Sequence, residues 1–97
     1  MVTLDTLRQE KRAEILRLAK THGAKNVRVF GSVATGENRP DSDVDFLIDL
    51  EPGRTIFDVA DLLGDLRDLL GIEVDVLESR SIHPYTRNRV LQEAVPL

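Results

Sequence analysis

Eight consecutive residues constrain this chain more than any others. Asp43 to Leu50 reads DVDFLIDL and alternates without a break. Side chains on a strand point to opposite faces with a period of two. Val44, Phe46, Ile48 and Leu50 therefore share one face, and Asp43, Asp45, Leu47 and Asp49 share the other. The apolar face needs a core to cover it. Asp43 and Asp45 stand about 6.5–7 Å apart along the strand, from a rise of ~3.3 Å per residue. Two carboxylates placed this way repel, and neither favours a strand. A hard divalent cation removes the conflict, because Mg²⁺ takes oxygen ligands and keeps coordination sites for substrate phosphates.

The flanking sequence supplies the cover. Leu4, Leu7, Lys11, Ile15 and Leu18 follow a helical rhythm, widened by Leu16 and Ala19, with Thr3 or Thr6 to cap the start and Gly23 to end it. Val27 to Phe30 is a short strand that runs into the turn-rich stretch Gly31 to Asp41, where one helical turn fits. Thr55 to Leu70 is a second long helix, capped by Thr55 with Asp58, with Ile56, Val59, Leu63, Leu66 and Leu70 as its buried stripe. Ile72 to Leu77 alternates as a third strand. Pro84 opens a last helix running to about Ala94. Helix, strand, loop, strand, helix, strand, helix is buried most simply as a small sheet covered by helices. Residues 1–97 are expected to form one domain.

Two further features bear on chemistry. Asp75 sits in IEVDVL, on the same parity as Glu73 and Leu77. If its strand lies beside that of Asp45, a third carboxylate joins the pair. It can then also accept a proton from an attacking hydroxyl. Gly31-Ser32 directly follows a strand. Glycine allows backbone N–H groups to approach a phosphate, and a serine hydroxyl adds a donor. The segment is not a Walker A loop: Gly31 and Gly36 fit its frame, but Glu37 and Asn38 stand where Lys and Ser/Thr are required.

Gly31-Ser32, ten residues, Asp43, one residue and Asp45, followed downstream by the strand residue Asp75, resembles the signature of the DNA polymerase β-like nucleotidyltransferase superfamily. The resemblance spans about Val27 to Leu77. The ending RNRVLQEAVPL is similar to one branch, the minimal nucleotidyltransferases, MntA-like antitoxins paired with HEPN-domain toxins. The resemblance implies an α/β (α+β) fold, a small mixed sheet flanked by helices. It implies that Asp43 and Asp45 bind two Mg²⁺ ions, and that Asp75 binds the catalytic ion and serves as general base. Gly31 and Ser32 would hold the β- and γ-phosphates of ATP, and Ser42 would complete the nucleotide-binding set by capping the strand entry and orienting the loop. The implied reaction transfers AMP from ATP to a tyrosine of a partner HEPN-family toxin and neutralises it. Relatives often carry Arg where this chain has Thr35. Arg28 and Arg39 are the candidates to replace that charge.

Composition narrows the partners. The chain has 97 residues, 13 Lys+Arg against 17 Asp+Glu, and a formal net charge of −4. That balance disfavours an extended nucleic-acid partner. Without cysteine there is no disulfide, thiol catalysis or Cys-ligated metal. No apolar run approaches the ~20 residues of a membrane span, and the charged first twenty residues are unlike a signal peptide. The expectation is a cytoplasmic protein. A homo-oligomer is left open. At this length no extra helical domain of the kind that holds the acceptor in larger superfamily members is expected, so the acceptor is expected to bring its own surface. Two other readings compete: a non-catalytic antitoxin acting by contact, through an apolar patch at Val90, Leu91, Val95 and Leu97, and a transferase for a small molecule of aminoglycoside type. For the first, packing of those four residues on the sheet is the favoured outcome. Tyr85 is expected to be half-buried, His22 and His83 to serve at helix ends, Asp49 to be solvated or salt-bridged, and Arg87 and Arg89 to be exposed helix charges.

Overall fold

The computed structural model describes residues 1–97. Its first helical stretch runs in three pieces: α1 (Leu4–Thr6), a π-helical turn (Leu7–Lys11) and α2 (Arg12–Thr21). Thr3 caps it reciprocally, since Thr6 N–H donates to Thr3 Oγ1 at 3.1 Å and Thr3 N–H donates to Thr6 Oγ1 at 2.8 Å. The π turn absorbs one residue. Leu7 and Ile15, eight apart, then face almost the same way, about 20° off, as seven ordinary helical steps would place them. Both are fully buried, and Ala19 continues their face. Leu16, expected to widen the stripe, is instead at the surface, 36% exposed. The uninterrupted helical rhythm does not anticipate that rotation.

Four strands form one mixed sheet in the order β3-β2-β1-β4. β1 (Ala24–Phe30) pairs antiparallel with β2 (Val44–Leu50) and with β4 (Val95–Pro96). β2 pairs parallel with β3 (Val74–Glu78) through the crossover helix α4 (Ile56–Leu70). β1 begins three residues earlier than its apolar core suggests. Asn26 at φ 52° and a register shift between Lys25 and Arg28 mark a bulge that carries the strand through this polar stretch. Between β1 and β2 lies the short helix α3 (Gly31–Thr35), ended by Gly36 at φ 81°, as the turn-rich composition allowed.

Alternation along β2 divides the interior. Val44, Phe46 and Ile48 join Ile15, Ala19, Leu62, Leu66, Val74 and Val76 in the main core, between the sheet and helices α2 and α4. Leu47 points the other way and is fully buried with Phe30, Ile82 and Val90 under the last helix, α5 (Pro84–Glu93). On α4 the buried stripe centres on Leu62 and Leu66, while Ile56, at the first helical position, is 75% exposed. Leu62 and Leu63 are neighbours of equal hydrophobicity, so the period alone does not set the phase of that stripe.

Both ends of α4 follow from its sequence. Thr55 and Asp58 form the capping box, and Gly71 ends the helix in the left-handed conformation. At the C-terminus Val90 and Leu97 are buried, Val95 is half-buried and Leu91 is exposed, so most of these residues pack inward. His83 caps α5 by accepting from Tyr85 N–H at 3.2 Å. His22 caps α2 and pairs with Asp65 at 2.6 Å. Tyr85, expected to be half-buried, is 93% exposed: every residue from His83 to Arg89 is exposed, and the ring stacks on His83. No helix is long and apolar enough to cross a membrane.

Candidate active site

Strand register brings the carboxylates together. Asp45 on β2 is the cross-strand partner of Asp75 on β3 and of Phe30 on β1. Register partners share a face, and neighbouring strands lie ~4.8 Å apart. Asp43 stands two residues before Asp45, just ahead of β2, with the same parity. Asp43 and Asp75 are exposed and Asp45 is half-buried. All three lie at the end of the sheet where β2 and β3 begin.

Burial and like charge act together on Asp45. Its carboxyl is pushed up to about 6, first by burial, then by the charges of Asp75, Asp43 and Glu93, with Arg89 opposing. The cluster is thus short of positive charge. Three oxygen-only side chains crowding one another suit a hard cation. Their side chains do not already stand as a closed cage around one point, and none of the three cavities in the structure is lined by them. The site is an open face.

Gly31 closes one side of it. Phe30, the last residue of β1, pairs with Asp45, so the chain turns into α3 directly against that carboxylate. Gly31 has φ +73°, and a Cβ there would run into Asp45 Oδ2. Glycine takes that backbone angle without strain and leaves the carboxylate in place. Ser32 follows, half-buried, in the same turn. Its carbonyl accepts from Glu37 N–H at 3.0 Å and Thr35 Oγ1 at 3.3 Å, which holds α3 compact. Ser42 Oγ accepts from Arg39 N–H at 2.8 Å, while Ser42 N–H donates to the Arg39 carbonyl at 3.0 Å. This clasp fixes the loop that leads into Asp43.

Asp49 shares the face of Asp45 but belongs to a different environment. The fully buried Leu47 separates the two. Asp49 accepts from Ser79 Oγ at 2.6 Å, Arg28 Nη2 at 2.8 Å and Asn26 Nδ2 at 3.0 Å. These bonds, that of Ser79 first, hold its carboxyl below the usual range. Arg28 is committed there and does not replace the charge missing at Thr35.

Sequence reasoning missed one site residue altogether and left another without its partner. Glu93, at the end of α5, accepts a hydrogen bond from Gly31 N–H at 3.2 Å. Arg89 is an exposed helix charge, as expected, and in addition pairs with Glu93 at 3.5 Å and opposes the rise of the Asp45 carboxyl. The i, i+4 pair is visible in the sequence; its docking on a turn 62 positions away is not.

Residues 9–97 match the family model described as the nucleotidyltransferase domain. The chain belongs to that family and is a nucleotidyltransferase. Its relatives are of minimal size. A structure described provisionally as a minimal nucleotidyltransferase is 50% identical, with a TM-score of 0.85 over 99% of this chain and 97% of that one. The protein adenylyltransferase MntA of Thermococcus cleftensis is 34% identical over 98% of this chain and 96% of its own. A Methanocaldococcus jannaschii protein, provisionally named a protein adenylyltransferase, is 40% identical over 89% of this chain and 92% of its own. A toxin–antitoxin crystal structure with AMP-PNP shares the fold at 19% identity, with a TM-score of 0.76 over 89% of this chain and 71% of that one.

Proposed function

We propose that this single domain is a Mg²⁺-dependent protein adenylyltransferase of the antitoxin kind, which transfers AMP from ATP to a tyrosine hydroxyl of a partner HEPN-family toxin. The observation that carries the reading is the pairing of Asp45 with Asp75 beside the backbone of Gly31. The names of full-length relatives support the choice of acceptor class.

Asp43 and Asp45 would hold two Mg²⁺ ions and Asp75 one of them, and the bound cations would offset the triphosphate charge during an in-line displacement. Gly31 N–H and the Ser32 hydroxyl would meet the β- and γ-phosphates and orient the tail. The stretch from Arg39 to Ser42 is not free to drift, because the clasp between those two residues keeps Asp43 at the strand entry. Asp75 lies on the edge strand β3, where an acceptor hydroxyl can approach from outside the sheet. It takes the proton as the tyrosine oxygen bonds to the α-phosphorus. The bond from that phosphorus to the bridging oxygen breaks, and pyrophosphate leaves with the electron pair.

The test is incubation with ATP labelled at the α-phosphate, Mg²⁺ and either the cognate toxin or an aminoglycoside. Label on a toxin tyrosine is the expected result. Label only on the small molecule overturns the acceptor assignment. Toxin neutralisation that survives Asp43→Asn with Asp45→Asn undiminished shows that contact alone suffices.

A further inference from the structure

The last helix places a fourth carboxylate where a nucleotide phosphate is expected. Gly31 N–H donates to Glu93 Oε2 at 3.2 Å, and Arg89 Nη1 approaches Glu93 Oε1 at 3.5 Å. The Glu93 side chain is 23% exposed and that of Arg89 is 63% exposed. A backbone amide has one proton to give. A phosphate oxygen and Glu93 therefore compete for Gly31, and their like charges repel at that distance.

We propose that Glu93 occupies the phosphate position at Gly31 in the nucleotide-free protein, and that incoming triphosphate displaces it and takes over its partner Arg89. This inference rests on the reading of Gly31 as a phosphate contact. Arg89 is suited to the transfer. Its guanidinium already acts on Asp45 from the rim, and it is far more exposed than Arg28, which Asp49 holds. Arg89 thus supplies the cation that Thr35 does not.

The exchange needs no backbone movement. Ala94 N–H is bonded to the Val90 carbonyl at 2.9 Å, and Val95 pairs with Val29, so both sides of Glu93 are anchored. Rotation about its side-chain bonds is enough to clear the amide.

Titration with Mg²⁺ and AMP-PNP tests this. Glu93→Ala removes the competitor and should tighten binding about three- to tenfold, and Glu93→Gln, which keeps the shape but not the charge, by about two- to threefold. Arg89→Ala should weaken it about tenfold. In amide NMR spectra, the Gly31 resonance of the free Glu93→Ala protein should differ from wild type, and the two should coincide at saturating nucleotide.

Weaker binding in both Glu93 variants makes Glu93 a support of the bound state and overturns the proposal, as does a Gly31 difference that persists at saturation. Asp45→Asn separates the two levels. If it binds AMP-PNP and Mg²⁺ as wild type does, the site reading fails and this inference with it. If it loses binding while the Glu93 variants bind no tighter, only this inference fails.

Discussion

Asp45 and Asp75 are cross-strand partners on adjacent parallel strands, although 30 positions separate them in the chain (75 − 45). Parallel pairing requires the crossover through α4, so the main core beneath that helix sets the alignment of the two carboxylates. The pairing costs stability in the metal-free protein, because two negative groups face each other beside the Gly31 turn, which leaves Asp45 half-buried.

Asp45→Asn should therefore stabilise the metal-free protein at pH 8 by about 1–2 kcal/mol, after discounting for partial solvent screening. The carboxyl titrates near 6 in the folded chain against 3.8 unfolded. The folded state binds more protons between those values, so wild-type stability falls as pH rises from about 3.8 to about 6. Thermal melts at pH 3 and pH 8 should show a gain for the variant at pH 8 only. The same variant should lose AMP transfer.

Gly31→Ala should damage both fold and site. The added methyl group meets the Asp45 carboxylate at a positive φ. A cost of about 1–3 kcal/mol is expected from the backbone angle alone. Chemical denaturation should show the loss, and Mg²⁺-dependent nucleotide binding should weaken even at temperatures where the variant is folded.

Asp49→Asn should cost stability and spare function. Its three side-chain donors stabilise the charged form, so its contribution is full above the unfolded pKa and is lost as pH falls through the lowered folded value. A loss of about 1–2 kcal/mol at pH 7 is expected, shrinking in acid. Adenylyl transfer at a temperature where the variant is folded should stay within roughly threefold of wild type, as for a residue remote from the chemistry.

Asp75→Asn should lower kcat by about 10²–10⁴, the span for loss of a general base, with a much smaller change in nucleotide affinity. Single-turnover rates and direct nucleotide titration measure the two separately. A collapse of affinity with an unchanged chemical step would assign Asp75 to binding.

Much of this arrangement was legible beforehand. The alternation of DVDFLIDL determined which residues of β2 face the core, because a strand has only two faces. Thr55 with Asp58 and Gly71 marked the ends of α4 through local chemistry. Asp49 was separable from the metal candidates by position, and it is indeed salt-bridged. The π turn, the phase of α4 and the exposure of Tyr85 were hidden for one reason. Each depends on where a helix rests on the sheet, and a periodic pattern does not encode that offset. Glu93 was hidden more deeply, since its partner is a backbone amide brought near by β4 pairing with β1.

The most direct measurement is paramagnetic broadening of amide resonances by Mn²⁺ in the presence of AMP-PNP. Signals of Gly31, Ser32, Asp43, Asp45 and Asp75 should broaden together at low Mn²⁺, while those around Asp49 and Ser79 persist. Broadening centred on Asp49 and Ser79, with Asp45 and Asp75 unaffected, would contradict the account.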